Sequence, residues 1–327
     1  MSAQAVIRYR QRGAALLMAM LTVALVATFA AAALWQQWRS IEVEGAERAR
    51  IQSEWILTGA LDWARLLLRE DVRAGGPDHL GEPWAVPLQE ARLSSFLAAQ
   101  DNVSTDAGTD VLDAFLSGQI IDLQSFLNVN NLANNGKVSE QALESFSRLF
   151  ALLQLPSGEL EQLAENLRLA SAPGAGNRPL LPQRVEQLVW LGLSPQTVAA
   201  LRPYVTVLPG SDVPVNLNTA SAEVIYAAAR ELSMAEAQHL VADRDALPFR
   251  NVQDASKLLS KGAASLPQGQ GFLDVNSRFF EVRARLRLDQ LVVEERSVVQ
   301  RDGVQSVKVL QRERGPAAAQ PQTASNR

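Results

Sequence analysis

The sequence predicts an α+β fold, in which a long N-terminal helix packs on an antiparallel sheet and a large all-helical insert interrupts the sheet. Three observations support this prediction. The first apolar stretch is long enough for a membrane helix, helical spacing of apolar residues dominates residues 136–276, and apolar and polar residues alternate after residue 276.

The N-terminal segment carries the strongest signal in the chain. Residues 13–38 contain no charged side chain, and these 26 residues exceed the roughly 20 that a helix needs to cross a bilayer core. Arg8, Arg10 and Arg12 precede the segment, and the positive-inside rule places them in the cytoplasm. The chain after Trp38 is therefore expected on the other side of the membrane.

The same helix is predicted to continue beyond the membrane as a spine over residues 14–75. No proline occurs from Gln36 to Arg73, and apolar residues recur at helical spacing up to the stop signal Gly75-Gly76-Pro77. A helix from Ala14 to Arg73 would be about 90 Å long at 1.5 Å per residue.

Composition limits the functions open to this chain. It has 327 residues and a net charge of −4, which becomes −7 without the residues up to Gly13. There is no cysteine, which excludes disulfides and cysteine-based metal centres, and the only histidines are His79 and His239. A mildly acidic chain does not favour nucleic-acid binding, and two histidines give little material for a Ser-His-Asp hydrolase.

Residues 76–135 are predicted to form a loop and the first strand of the sheet. In the loop, Trp84 is expected to pack while the charged residues face outward; Asp78, His79 and Glu82 could also be interpreted as a catalytic group. The proline and glycine content argues against a helix there and favours a structural loop. The strand is predicted at residues 119–123.

Residues 136–276 are predicted to form the helical insert. Its sharpest motif is Val215-Asn216-Leu217-Asn218-Thr219-Ala220, in which Asn218 or Thr219 can cap a helix that carries Glu223 in its first turns. This motif resembles the opening of a helix-hairpin-helix unit. DNA-binding members have a glycine hairpin and basic flanks, whereas this chain has Glu231-Leu232-Ser233-Met234 and, between residues 213 and 276, five basic against seven acidic residues. We therefore expect a protein-packing unit rather than a DNA-binding one.

Residues 277–312 are predicted to form three antiparallel strands. Phe280, Val282, Ala284, Leu286 and Leu288 alternate with charged residues that are expected on the solvated face. Turns are predicted at residues 289–290 and 302–303, the second an Asp-Gly hairpin signal. The Pro/Ala/Gln-rich residues 313–327 are predicted to be a disordered tail.

The order of these features resembles a known family. Arg12-Gly13 followed by an apolar helix is similar to the leader of type IV pilins and type II secretion pseudopilins, although a plain signal anchor needs only the basic residues and the apolar run. Three further stretches resemble the general secretion pathway protein K family of minor pseudopilins: residues 59–65, residues 78–84, and the asparagine pairs Asn128-Val129-Asn130 and Asn216-Leu217-Asn218. The resemblance extends from Arg12 to about Arg312 and implies a pseudopilin fold.

The resemblance also implies how the chain is processed and what it does. A prepilin peptidase would remove residues 1–13 by cutting after Gly13 and would methylate the new N-terminus at Ala14. Most pilins have Glu at the fifth mature position, which is Met18 here, and the K family is known for lacking that Glu. The implied role is a non-enzymatic, single-pass inner-membrane subunit at the tip of a periplasmic pseudopilus, which initiates assembly and helps to export folded proteins.

The implied partners are the other minor pseudopilins, the major pseudopilin, the prepilin peptidase and the inner-membrane assembly platform. A type IV pilus minor pilin and a membrane-anchored helix-hairpin-helix DNA receptor are the alternatives, and a periplasmic hydrolase is the enzyme alternative. Calcium binding is known in the family, but the loop expected to provide it, residues 171–178, has no acid. Asp101, Asp106 and Asp110 are other candidate ligands, and no metal residues are assigned.

Overall fold

The computed structural model describes residues 10–94, 114–173, 178–259, 273–288, 291–303 and 306–316. The chain divides into two units, residues 1–56 and 57–327. The division falls within helix α1, Arg10–Ala74.

The first unit, where it is described, consists of the N-terminal part of α1. Residues 14–74 include an 18-residue window with a mean hydropathy of 2.3, none of which is buried, so by length and composition the helix can cross a membrane. Its two threonines, Thr22 and Thr28, donate their hydroxyls to carbonyls three residues earlier. The apolar stretch therefore presents neither a charge nor an unsatisfied hydroxyl to its surroundings.

The second unit contains a five-stranded antiparallel sheet in the order β1-β2-β9-β10-β11. Its strands are β1 Leu88–Arg92, β2 Ala114–Asp122, β9 Phe279–Leu288, β10 Leu291–Asp302 and β11 Ser306–Pro316. The last four turns of α1 contribute Leu61, Ala64 and Leu68 to the core over this sheet. These residues lie on one helix face, and Trp84 packs edge-on against Phe280 beside them, 5.2 Å between ring centroids.

The strands differ in extent from the sequence prediction. β2 begins at Ala114 rather than at Gln119, and β1 has no counterpart in the prediction. β1 is an exposed edge strand without β-branched residues, so it lacks the pattern by which a strand is recognised. β11 runs to Pro316, four residues past Arg312. Residues 289–290 and 317–327 lie outside the described residues, but Leu288 pairs directly with Leu291, which confirms the hairpin predicted between them.

The alternation predicted for the C-terminal strands is confirmed. The apolar residues of β9 are buried, and its charged residues are half-buried on the opposite face. The β10–β11 hairpin turns at Gly303, which has a φ of +62°, a value that favours glycine.

The helical insert lies between β2 and β9 in sequence. Its helices are α2 Glu140–Leu152, α3 Ser157–Ser171, α4 Pro195–Leu201, α5 Ala222–Ala228, α6 Met234–Ala246 and α7 Val252–Leu258, with a 3₁₀ helix at Val185–Leu191. They share one apolar core. Pro156 immediately precedes α3 and separates it from α2.

Short strand pairs complete the insert. β3 Leu127–Asn128 pairs in parallel with β6 Val205–Thr206, and β7 Val215–Asn216 pairs in parallel with β8 Leu273–Asp274. An antiparallel pair is formed by β4 Ala133–Asn134 and β5 Lys137–Val138. The N-terminal half of the insert, which contains α2 to α4, therefore has the β3–β6 pair, and the C-terminal half, which contains α5 to α7, has the β7–β8 pair.

Candidate functional site

The N-terminal part of α1 is an exposed apolar surface. α1 begins at Arg10, so the backbone at Gly13 and Ala14 is already helical. Ala14 is exposed and Met18 is 63% exposed, as are the large apolar side chains around them. In water such a surface would be unstable, because each buried apolar side chain is worth about 1.5–3 kcal/mol and these remain uncovered.

A second candidate site is a buried polar network in the second unit, which we call the polar junction. It joins the end of α1, the following loop, the end of β2, the segment between α4 and α5, the end of the insert before β9, and β10. Its members are Asp71, Asp78, Asp122, Asn216, Thr219, Ser277 and Arg301.

Arg301 is the only cation in direct contact with the acids of the polar junction, among the described residues. Its guanidinium donates to Asp71 Oδ2 at 2.7 Å, to both carboxylate oxygens of Asp78 at 2.6 Å and to the carbonyl of Ser277 at 2.7 Å. It also lies over the ring of Phe280, 4.9 Å from the centroid. These contacts satisfy a cation that is only 7% exposed.

Asp122 is the acid that Arg301 does not reach. Its carboxylate accepts hydrogen bonds from Thr219 Oγ1 and Ser277 Oγ at 2.6 Å, from the Gln124 backbone N–H at 2.7 Å and from Asn216 Nδ2 at 3.2 Å. Burial away from any cation raises the pKa of Asp122 to about 6, although these hydrogen bonds oppose the shift. The carboxylate therefore holds the insert to the sheet through neutral donors.

The loop after α1 is structural but more buried than predicted. Trp84 is buried as expected, and its Nε1 donates to Glu82 at 2.8 Å. The expectation that the charged residues face outward was wrong for Asp78, which is 2% exposed because it pairs with Arg301. His79 Nδ1 accepts from the Gly81 N–H, so the ring forms part of a turn instead of meeting a nucleophile. His239 lies on an exposed face of α6.

Two acids of the polar junction and the adjacent Glu82 lie close together but do not fit a calcium ion. Carboxylate oxygens of Asp71, Asp78 and Glu82 lie within 4.8 Å of one another. Calcium requires six to eight oxygen ligands, and the guanidinium of Arg301 already binds two of these three acids. Burial is the main cause that raises the pKa of Asp71, and the nearby Glu82 raises it further. The raised pKa disfavours the charged carboxylate that a cation needs. Asp101, Asp106 and Asp110 lie outside the described residues, as do residues 174–177 of the acid-free loop.

Several polar residues of the helix-hairpin-helix-like unit form hydrogen bonds within the unit itself. The predicted caps were wrong: Ser221, not Asn218 or Thr219, caps α5 by accepting from the Val224 N–H. Asn218 instead pairs its amide with both backbone groups of Phe249. Arg244 is 7% exposed and donates to backbone carbonyls of the same unit, so its guanidinium is not available to a phosphate.

Sequence reasoning did not identify Asp122, Ser277 and Arg301 as a group. One signal was present: Ser297, Val299 and Arg301 occupy the inward register of β10, so an arginine falls where the period-two pattern demands a buried residue. Asp122, Ser277 and Arg301 come together only through pairing between strands that are distant in sequence, and no local pattern predicts such pairing.

Comparisons with known proteins agree with this architecture. Residues 125–210 and 215–276 match two family models, both described as type II secretion system protein K. The chain is 29% identical to type II secretion system protein K of Pseudomonas aeruginosa over 94% of both chains. It is 27% identical to the protein of that name from Pectobacterium carotovorum, with 94% of this chain and 98% of the relative covered.

A solved structure shows the same fold. The crystal structure of the GspK–GspI–GspJ complex from the type 2 secretion system of enterotoxigenic Escherichia coli contains a chain that aligns with a TM-score of 0.62. The alignment covers 83% of this chain and 99% of that chain at 19% identity. The long helix, the antiparallel sheet and the helical insert therefore form an α+β pseudopilin fold.

Proposed function

We propose that this chain, which belongs to the type II secretion system protein K family, is a minor pseudopilin at the tip of the periplasmic pseudopilus. In this role it initiates assembly and helps to export folded proteins from the periplasm across the outer membrane. The observation that carries the proposal is the combination of an exposed apolar helix with a pseudopilin sheet and both K-family regions in order. The family is a structural component of secretion rather than a known enzyme family.

Helix α1 serves as membrane anchor and assembly surface in this proposal. The exposed apolar residues after Ala14 suit lipid before assembly and the helices of neighbouring subunits afterwards. Other minor pseudopilins are the first partners, as the complex of GspK with GspI and GspJ suggests. The major pseudopilin, the prepilin peptidase and the inner-membrane assembly platform follow from the same role, with the globular part in the periplasm.

Met18 is the residue that supports the proposed tip position. A Glu at the fifth mature position would place a carboxylate in the apolar zone, where a charge costs several kcal/mol unless it is paired. In a filament, the N-terminal amine of an adjacent subunit can pair with that carboxylate. A subunit with no neighbour above it has no such amine, so an apolar residue is preferred there.

The processing step tests the family role directly. The full chain is extracted from membranes with and without a co-expressed prepilin peptidase, and its intact mass and N-terminal sequence are measured. We expect a chain that begins at N-methylated Ala14 only when the peptidase is present. Gly13→Leu should block processing and secretion, while Gly45→Leu, the same change at an open position of α1, should be processed normally. An unprocessed wild-type chain in the presence of peptidase would refute the pseudopilin role.

The tip position is tested by placing a carboxylate at two neighbouring sites. Met18→Glu and Met20→Glu each introduce one carboxylate into the same apolar stretch, where both methionines are exposed. At the tip neither carboxylate finds an amine, so secretion of a folded substrate should fall by a similar factor in both variants. If Met18→Glu secretes normally while Met20→Glu does not, the carboxylate at position 18 is paired and the tip assignment is wrong.

A further inference from the structure

Two arginines on one face of α1 border a cavity outside the polar junction. Arg65 and Arg69 are one helical turn apart, and with Asp62, Ser306 and Val307 they line a space of about 230 Å³ between α1 and the start of β11. The space exceeds the roughly 30 Å³ that one water molecule occupies in the liquid, so it can admit a side-chain carboxylate with accompanying water.

The two arginines differ in how their donors are used. Arg65 Nε donates to the Val307 carbonyl at 2.9 Å, and its Nη1 donates to Asp62 at 2.8 Å. Arg69 has no hydrogen-bond or ion-pair partner among the described residues, and its Nε is shielded from solvent without an acceptor. The nearby acids are already committed, because Glu70 pairs with Arg73 and Asp71 pairs with Arg301.

An unpaired guanidinium with a shielded donor is unusual in a folded protein. Buried polar groups are nearly always hydrogen-bonded, and an exception requires an explanation such as a ligand that is bound in the functional state. The planar fork of Arg69 suits a bidentate acceptor, which a carboxylate or a phosphate provides.

We propose that Arg69, supported by Arg65, is a binding site for a carboxylate presented by another protein chain. The charges around the cavity favour a carboxylate over a phosphate, because two arginines and Asp62 leave one net positive charge. A free carboxylate binds a single guanidinium weakly, whereas one carried on a docked chain benefits from a high effective concentration. The site lies on the helix that the proposed function assigns to assembly, and the identity of the partner rests on that function.

The first experiment measures the site itself and does not depend on a partner. The full chain in detergent is labelled at its arginines with phenylglyoxal, and each labelled peptide is quantified by mass spectrometry. Sodium propionate, at a concentration high enough to half-fill a weak site, should slow labelling of Arg69 by about twofold relative to sodium chloride at equal ionic strength. Arg73, one turn further along α1 and paired with Glu70, is the matched control and should not change.

The outcomes of this experiment separate the anions. Protection by propionate and not by inorganic phosphate supports a carboxylate site. Protection by phosphate alone overturns the carboxylate assignment, and equal labelling in propionate and chloride overturns the site.

The second experiment measures association with the other minor pseudopilins of the same secretion system, co-expressed with the full chain. Arg69→Gln should reduce recovery of the complex about tenfold, as expected for losing one charge-assisted pair, while Arg73→Gln should have no effect. Arg69→Gln removes a shielded donor that has no partner, so its melting temperature in the isolated chain should be unchanged or higher. A lower melting temperature with normal association would make Arg69 a structural residue and overturn the proposal.

The two experiments distinguish the failure of this inference from the failure of the proposed function. If the wild-type chain does not associate with the minor pseudopilins, the function fails, and the propionate result still decides the site. If the wild-type chain and Arg69→Gln associate equally while propionate protects Arg69, the site binds a free anion and the partner assignment is wrong.

Discussion

Two asparagine turns, one in each half of the helical insert, share their geometry and differ in what lies beside them. Asn128 accepts the N–H of Asn130, and Asn216 accepts the N–H of Asn218, in the same two-residue turn. Each turn follows the first strand of a parallel pair, and the two halves match separate regions of one family.

The surroundings of the two turns are chemically different. The side-chain amide of Asn128 donates to the carbonyl of Gly210 and to Asn131, all neutral groups of its own half. The amide of Asn216 donates to Asp122, to Ser277 and to the carbonyl of Asp78, which belong to the sheet and its loops. The comparison teaches that the same local turn can have two roles. At Asn128 it stabilises only its own half of the insert, whereas at Asn216 it attaches the insert to the sheet.

The largest effect is expected from removing the cation beside the second turn. Arg301→Met leaves Asp71 and Asp78 buried without their counter-charge, which typically costs about 3–5 kcal/mol. Arg296→Met is the matched control on the same strand, because Arg296 pairs with Glu294 at a half-exposed site. Urea unfolding of the detergent-solubilised chain, followed by circular dichroism, measures both variants. Equal losses for the two would mean that Arg301 does not neutralise the junction.

The comparison itself is tested by truncating each turn. Asn216→Ala should lower the free energy of unfolding by about 2–4 kcal/mol, because it strips a donor from a buried carboxylate and from two neutral acceptors. Asn128→Ala should cost about 1–2 kcal/mol, since only neutral acceptors lose their donor. Both side chains are fully buried, so the same urea titration compares them fairly. If Asn128→Ala lowers the free energy of unfolding as much as Asn216→Ala, the stabilisation comes from the turn itself and not from the polar junction.

The smallest effect is a pH dependence of stability, which is expected only at Asp122, the acid beside the second turn. The pKa of Asp122 is raised to about 6 in the folded chain, against about 3.9 when unfolded, so protonation favours the folded state. This contribution to stability is fully present below pH 4 and declines as the pH rises through 6. Wild type should therefore gain roughly 1 kcal/mol relative to Asp122→Asn between pH 7 and pH 5.

Melting curves at the two pH values provide the measurement. Asn128→Ala, which leaves Asp122 untouched, should keep the wild-type pH response. A wild-type chain whose stability difference from Asp122→Asn does not change with pH would mean that the carboxylate is charged throughout this range.

Local patterns were sufficient for much of this architecture. The uncharged run before Trp38 and the alternation around Phe280 predicted the long helix and the C-terminal strands, because both depend on periodicity within one segment. Asn216 was also recognised, but only as part of a motif. Its partners Asp122 and Ser277 lie in distant segments, and their roles appear only when strand pairing brings these segments together. β1 was missed because an exposed edge strand has no apolar face to reveal it.

The pairing of β2 with β9 affects the order in which parts of the chain can fold during synthesis. β2 and β9 are hydrogen-bonded neighbours, yet the whole helical insert separates them in the chain. A growing chain therefore completes β2 long before β9 exists, and one side of β2 stays open to unwanted strand partners during that interval. Pairings across so long a stretch also form slowly. The insert, built from closer contacts, is thus expected to fold before the sheet that carries it.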